Sequence, residues 1–365
     1  YIGSGIGIFI GGLIVDNWND AYPIISEAPF GLKGWQVAFM AVGIPGMLLA
    51  LLTWQIKEPP RGLSEGLISS ESKNPLKETF KELVGLTPFG LVGSENFKKE
   101  LSINIIFTVL IFLASYYLYV LTGDFLQWTA FGIGVYVICN WIHGLKNRDP
   151  VAFLLIFKSK ALLLGLLSFP FITFVTYALG AFGPSFYIRN FSMTATEVGI
   201  IYGLITVFGS MIGVICGGIL GDKLRETYVN GKLYLIMASA VLTGVTAIGF
   251  IHSENLVASF TWKFVYHIAS TAWLGCAAST VTELVLPRLR AVASAFFILM
   301  LSMIGLALGP YLTGMVSDIY INSGLLPGPA LKNAMTLTLV VLILPFGLLA
   351  VACKYLKSDE AEIYE

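Results

Sequence analysis

The chain of 365 residues is 56% hydrophobic and only 12% charged, with a mean hydropathy of +0.80, whereas about a quarter of a soluble domain is charged; this excludes a soluble globular domain and marks a polytopic membrane protein. Its 22 basic residues are balanced by 22 acidic ones and sit in short loops, so no basic face is offered to nucleic acid. The four cysteines, Cys139, Cys216, Cys276 and Cys353, fall singly inside apolar segments, which indicates neither a disulfide framework nor a zinc site.

Ten apolar spans follow one another at roughly 1–15, 35–56, 101–122, 125–143, 161–187, 197–220, 231–251, 256–281, 291–316 and 331–355, to be compared with the ~20 residues that cross a bilayer. The first opens at Tyr1, already inside a glycine-rich apolar stretch and with no signal peptide, so a missing amino-terminal part is expected. After the second span comes a polar stretch whose LKETFKELVGL puts Leu76, Phe80, Leu83 and Val84 on one face and Lys77, Glu78, Lys81 and Glu82 on the other, the pattern of a helix lying along a membrane surface. The next two spans, turned by Thr122, Gly123 and Asp124 and edged by Tyr116, Tyr117, Trp128 and Trp141, form a hairpin, which leaves the orientation of everything downstream unchanged.

In the span 161–187, Tyr177 and the following Pro184 suit a cavity wall with a bend. The next span starts behind Thr194 and Glu197, which have capping-box spacing. Along it Gly209, Gly213, Gly217 and Gly221 recur every four residues, a face that lets backbones approach closely, while Tyr202, Thr206 and Ser210 form a polar stripe that could line a cavity. In the span 256–281, Lys263, His267, Ser270, Thr271 and Thr282 fall near one face, and ionisable residues inside membranes usually face protein or water. Two readings stand for each ionisable group: Lys263 serves the cavity or snorkels to the outer interface, and His267 handles protons or merely bonds a neighbouring helix. A charged turn with Glu283, Arg288 and Arg290 then opens into an uncharged run of 27 residues carrying Gly305, Gly309, Pro310 and Gly314 before Asp318, a composition suited to close packing and bending in lipid.

With residue 1 placed in the cytoplasm, eighteen of the 22 Lys and Arg residues fall on inside segments and only Lys33, Arg189, Lys263 and Lys332 outside, as the positive-inside rule requires. The chain also repeats itself. An offset of 302 pairs Gly3 with Gly305, Gly7 with Gly309, Gly12 with Gly314 and Asp16 with Asp318, and an offset of 300 pairs Pro45, Leu48, Leu49 and Ala50 with Pro345, Leu348, Leu349 and Ala350. Parallel repeats with the solute near the midplane are how many transporters are built.

The strings LPRLRAVASAFFILMLSMIGLALGPYLTGMVSD at 286–318, GWQVAFMAVGIPGMLLALLTWQIKEPPRG at 34–62 and PSFYIRNFSMTATEVG at 184–199 resemble the spinster-type branch of the major facilitator superfamily. The resemblance covers nearly everything except residues 63–150. It implies an all-α integral membrane fold in which residues 1–62 are helices 5 and 6, the end of an amino-terminal bundle, and residues 151–365 are helices 7 to 12, the carboxy-terminal bundle. Residues 63–150 become a cytoplasmic linker with an inserted two-helix hairpin, and helices 1 to 4 are absent, together with the charged residues of helices 1 and 4 that the family associates with ion coupling. GGILGDKLRE at 217–226 resembles the superfamily's cytoplasmic loop motif in its second-half copy, although the usual RxGRR-like tail is reduced to KLRE. By that likeness Asp222, Lys223 and Arg225 would meet Glu283, Arg288 and Arg290 at a cytoplasmic gate; a solvated basic loop is the competing reading.

The expectation is a secondary transporter that moves a small organic or amphiphilic solute by alternating access, with protons as a candidate coupling ion. The resemblance suggests lysophospholipid- or sphingolipid-like cargo. Tyr177, Tyr202, Thr206, Lys263, His267, Ser270 and Thr271 would form the cavity, and no cofactor or metal is called for. The expected partners are the solute, the lipid bilayer and protons, and the expected location is the bacterial inner membrane. ATP-driven transport is disfavoured because no GxxxxGK[ST] loop occurs. The alternatives are a non-functional transporter fragment and an integral-membrane lipid-modifying enzyme. The enzyme would need clustered acid–base groups, and His143, His252 and His267 are scattered along the chain.

Overall fold

The protein is described here by a computed structural model covering residues 2–57, 97–148, 150–286 and 289–364, together with residues 74, 76, 77, 80, 83, 84 and 87. Among these residues the regular structure is helical throughout, as the absence of backbone partners in lipid demands. Ten helices of at least 20 residues stand where the ten spans were expected. They are α1 (Ile2–Ala21), α2 (Gly34–Thr53), α3 (Phe97–Thr122), α4 (Phe125–Arg148), α6 (Lys160–Phe191), α7 (Ala195–Thr227), α8 (Gly231–His252), α9 (Leu256–Glu283) and two interrupted helices. The first of these is α10 (Arg290–Met300) continued by α11 (Ala307–Asn322); the second is α12 (Pro327–Thr338) continued by α13 (Ile343–Ala352). Short helices α5 (Pro150–Lys158) and α14 (Leu356–Tyr364) are also among the described residues.

Eight of the described helices are long and apolar enough to cross a membrane, and this is a multi-pass membrane protein. The other two long helices, α1 and α9, carry the polar load: Asp16, Asn17, Asn19 and Asp20 in the first, Lys263 and His267 in the second.

Contacts divide the chain into two compact units, Tyr1–Leu48 with Ile156–Glu365, and Leu49–Leu155. In the first unit, glycines set three close helix contacts. Lipid tails are as apolar as leucine, so helices gain by dispersion only where their backbones come near. On α7, a Cβ at Gly203 would lie 2.7 Å from the Gly5 carbonyl oxygen of α1. A Cβ at Gly12 of α1 would lie 2.6 Å from the Ala195 carbonyl oxygen. The row Gly209, Gly213, Gly217 and Gly221 faces α9 at Phe264, Ile268, Ala272 and Cys276. Third, Gly305 and Gly309 press on Thr173 and Phe174 of α6, and Gly314 lies near Phe182. Gly3 and Gly7 have no neighbour within 4 Å of a Cβ position, so the tight contacts of α1 are made by Gly5 and Gly12.

Proline explains both interruptions. Pro310 has no N–H to donate, and its ring crowds the carbonyl four residues back, at Leu306. The helix relaxes into a π segment over Leu301–Leu306 immediately before it. Pro345 is preceded in the same way by a 3-10 turn, Leu339–Leu342. At the corresponding place of the repeat, Pro45 sits inside an uninterrupted α2.

The second unit is built on the α3–α4 hairpin. Gly123 makes the turn at φ +82°, and Trp128 Nε1 donates to Thr122 Oγ1 at 2.6 Å. Deeper in the hairpin, Asn104 Nδ2 donates to Asn140 Oδ1 at 2.9 Å and Tyr136 donates to Asn104 Oδ1 at 3.1 Å. Both asparagines are buried. Their pairing fixes the register of two helices whose outer faces are apolar, because an unpaired amide in hydrocarbon costs free energy. In the expected surface helix, Leu76, Lys77, Phe80, Leu83 and Val84 are helical, while Glu78, Lys81 and Glu82 lie outside the described residues.

Candidate functional site

A cavity of about 550 Å³ opens among α1, α6, α7, α9 and the α10–α11 helix. Ser4 and Ile8 come from α1, and Thr173, Thr176 and Tyr177 from α6. Helix α7 adds Tyr202 and Thr206, α9 adds Tyr266, His267, Thr271 and Trp273, and Leu301, Leu306 and Pro310 close the remaining wall. The π segment therefore lies directly on the cavity. Widening the helix there re-aims Leu301 and Leu306 and removes regular backbone bonds where the helix flanks the open space.

The imidazole of His267 is 8% exposed and meets a hydroxyl at each nitrogen, Thr206 Oγ1 at 3.3 Å from Nε2 and Ser210 Oγ at 3.4 Å from Nδ1. Thr206 already donates its hydroxyl hydrogen to the Tyr202 carbonyl at 2.8 Å. Its oxygen can only accept from the imidazole, so Nε2 carries the proton and Nδ1 accepts from Ser210 in the neutral ring. A second proton on Nδ1 could be donated to the Ser210 oxygen. Either protonation state thus finds partners. Tyr202 and Tyr266 flank the ring edge-on, at centroid distances of 5.9 and 5.5 Å.

Lys263 lies one helical turn before His267 and is 0% exposed. Its amine group does not reach the surface, as the snorkelling reading required. It is enclosed by Phe250, Tyr266 and Tyr202 at 4.2, 4.4 and 4.9 Å from the ring centroids, and Nζ has no hydrogen-bond partner among the described residues. Cation–π contacts reach about 2 kcal/mol each when desolvated, against several kcal/mol for taking an ammonium out of water.

The expected cavity residues divide accordingly. Tyr177, Tyr202, Thr206, His267 and Thr271 line one space. Lys263 stands behind two of its walls, and Ser270, fully buried, bonds the His267 carbonyl within its own helix at 3.4 Å. Tyr266, Trp273, Thr173, Thr176 and Ser4 were not singled out in the sequence. Tyr266 lies three residues after Lys263 and Trp273 three after Ser270, a helical spacing that could have pointed to them.

At the loop end of α7 the expected gate residues are only partly joined. Asp222 and Glu283 converge on Lys232, at the start of α8; Asp222 Oδ1 is 3.8 Å from its Nζ and Glu283 bonds it directly. Arg225 turns instead to Glu360 of α14, donating to both carboxylate oxygens at 2.6 Å, and to the Val229 carbonyl. Lys223 and Arg290 are exposed, and Arg288 lies outside the described residues. The neighbouring Asp359 caps α6, accepting from Ser159 Oγ and Ala161 N at 2.8 Å each. At the other end of α7, Thr194 and Glu197 form the capping box that their spacing announced.

Comparison with known proteins gives this arrangement a family. The family model described as Major Facilitator Superfamily matches residues 1–310. An MFS-type efflux pump of Mycolicibacterium smegmatis is 30% identical over 189 residues, which cover 52% of this chain and 42% of that protein. Protein spinster of Drosophila melanogaster is 26% identical over 173 residues, or 44% of this chain and 28% of that protein. Protein spinster homolog 1 of Homo sapiens is 24% identical over 177 residues, covering 44% and 33%. The chain thus spans less than half the length of these relatives. Among solved structures, a bacterial homolog of the human lysosomal transporter spinster, in an inward-facing and unoccupied conformation, superposes with a TM-score of 0.59 at 20% identity, over 98% of this chain and 69% of that one. With the family model covering residues 1–310, the chain belongs to the major facilitator superfamily, and its resemblances run to the spinster-like branch.

Proposed function

We propose that the chain forms the solute-holding part of a secondary transporter that carries a small organic or amphiphilic solute across a membrane by alternating access. The observation that supports the reading is the cavity itself, roofed by residues of five helices and mixing hydroxyls with apolar side chains. Tyr177, Tyr202, Thr206 and Thr271 offer the polar contacts, and Ile8, Leu274, Leu301 and Leu306 suit an apolar portion of the solute. Few polar groups in a mostly apolar concavity orient a ligand without holding it too tightly to release. The Asp222–Lys232–Glu283 cluster acts as a latch whose contacts break when helices rock apart, and the glycine seam between α1 and α7 is the surface across which that rocking occurs. His267 handles a coupling proton, passing between its two hydroxyl partners without losing hydrogen bonds in either state. In this reading residues 1–62 and 151–365 belong to the two bundles, residues 63–150 are a linker with an inserted hairpin, and the protein resides in the inner membrane of a bacterium.

Flux measurements on the reconstituted chain test the proposal. Uptake that saturates and shows counterflow is expected of a carrier. Conductance without saturation, or conversion of a lipid substrate into product, overturns it.

A further inference from the structure

We infer that the α3–α4 hairpin carries a lipid site of its own, in which an anionic phospholipid sets its phosphodiester between Lys99 and Lys146 and lays the start of an acyl chain along Ile103, Phe107 and Ile142. The site shares no residue with the solute cavity and does not rest on the transport reading. A cavity of about 450 Å³ opens between the beginning of α3, the end of α4 and Phe153 of α5. Lys99 and Lys146 stand at its mouth, both exposed and neither in an ion pair among the described residues. Lys146 is drawn over the Phe153 ring, with Nζ 5.6 Å from the centroid, a contact that keeps its charged end at the cleft. Glu100 is the one carboxylate of the lining, and its Oε1 accepts from Asn147 Nδ2 at 3.0 Å. The same amide nitrogen lies 3.4 Å from His143 Nε2. An amide nitrogen only donates, so Nε2 accepts and the neutral ring keeps its proton on Nδ1 as a further donor. Two ammonium groups against one carboxylate leave one unit of positive charge, which a single phosphodiester balances.

The cleft is shaped for a lipid more than for a free anion. The apolar spans of the hairpin run from Lys98 to Thr122 and from Phe125 to Asn147, so both lysines stand at span ends, where hydrocarbon gives way to head groups. Phe107 follows Lys99 by eight residues and Cys139 precedes Lys146 by seven. At 1.5 Å per residue the wall therefore runs about 10–12 Å from the lysines into the hydrocarbon, and Ile103, Phe107 and Ile142 are half-buried along it. A free phosphate would use the mouth alone, whereas a phospholipid fills mouth and wall together. These span ends lie away from the Gly123 turn, on the side that the distribution of Lys and Arg assigns to the cytoplasm. Basic pockets between membrane helices on that side suit anionic head groups. A zwitterionic head group would bring a further ammonium to a mouth that already holds one in excess, so the charge balance favours a lipid without an amine.

The test is native mass spectrometry of the full chain in a mild neutral detergent, titrated with dioleoyl phosphatidylglycerol and dioleoyl phosphatidylcholine. Glycerophosphoglycerol, the head group without its chains, and inorganic phosphate are the chain-free arms. Phosphatidylglycerol is expected to bind saturably and about tenfold more tightly than phosphatidylcholine, and neither chain-free probe is expected to bind or to displace it. Lys99→Gln combined with Lys146→Gln is expected to weaken phosphatidylglycerol about tenfold to thirtyfold and to leave phosphatidylcholine unchanged. Lys99→Arg combined with Lys146→Arg should keep the preference. Lys354→Gln combined with Lys357→Gln removes the same charge at exposed positions outside the cleft and should also keep it. Equal affinity for the two lipids, unchanged phosphatidylglycerol affinity in the Lys99→Gln and Lys146→Gln protein, or an equal loss in both glutamine pairs would each overturn the inference. Displacement of the lipid by inorganic phosphate, or binding of glycerophosphoglycerol, assigns the mouth to a free anion and overturns it as well. Both lysines of the cleft are exposed, so their replacement should leave the packing of the hairpin intact, which melting in phosphatidylcholine checks. Should that melting shift, the lipid preference of the unmodified chain and of the arginine pair decides the matter. Uptake is not read, so loss of the lipid site and failure of the carrier are separate results.

Discussion

Substituting Gly209 with alanine probes packing and site together. A Cβ there would lie 2.8 Å from the His267 Cβ and 3.1 Å from the Phe264 carbonyl oxygen, whereas ordinary contact begins near 3.4 Å. Both obstacles belong to the backbone or the root of a side chain, and neither can rotate away. Helices α7 and α9 must therefore part by about 0.6 Å at this level. The bonds from His267 to Thr206 and Ser210 already measure 3.3 and 3.4 Å, so that displacement carries both beyond hydrogen-bonding range. Overpacking of this kind costs about 1–3 kcal/mol, and each interhelical bond lost in a membrane adds about 0.6 kcal/mol. Gly218, on the same helix, meets nothing within 4 Å, so Gly218→Ala should be neutral or stabilise by up to about 1 kcal/mol through helix propensity. Unfolding both variants in one detergent, with uptake measured in parallel, separates the effects. Gly209→Ala is expected to be the less stable by about 2–4 kcal/mol and to lose uptake; equal stability of the two variants would refute the packing argument.

Replacing His267 with alanine should change the pH dependence of uptake, and an unaltered profile would exclude this residue from proton handling. Asn140→Leu should destabilise the hairpin by about 0.6–2 kcal/mol by stranding the Asn104 amide, whereas Asn104→Leu with Asn140→Leu should recover part of the loss; denaturation of the single and double variants checks this, and a double variant worse than the sum of the singles would contradict it. Lys232→Met leaves Asp222 and Glu283 facing each other without their shared cation. Because Glu283 is half-exposed, the expected cost is only about 1 kcal/mol; added salt, which screens attraction in the parent, should screen repulsion in the variant and so stabilise it relative to the parent, which a melting series in increasing NaCl would show.

The α-helical membrane character, the ten long helices and the capping of α7 were legible in the sequence because each is a local property: run length, hydropathy, and the three-residue spacing of Thr194 and Glu197. The packing role of the Gly209–Gly221 row was legible for the same reason, as periodicity defines a face. Periodicity does not say what the face meets. That α9 is the partner, with the Cβ of His267 against Gly209, emerges only when the helices are assembled. The repeat matched Gly3 and Gly7 to Gly305 and Gly309, yet only the second pair is tight, since the same spacing can face a neighbouring helix or open space.

Charge was the least legible property. By itself the sequence determined that Lys263 and His267 lie on one face of one helix, since one turn separates them. It could not determine that Lys263 is enclosed by rings from α7, α8 and α9 instead of reaching the interface, nor that Arg225 is held by Glu360, 135 residues away. The physical reason is range: helix formation and burial follow from neighbours in sequence, whereas the electrostatic state of a buried charge depends on which distant side chains the fold brings within a few ångströms, and tertiary structure alone decides that.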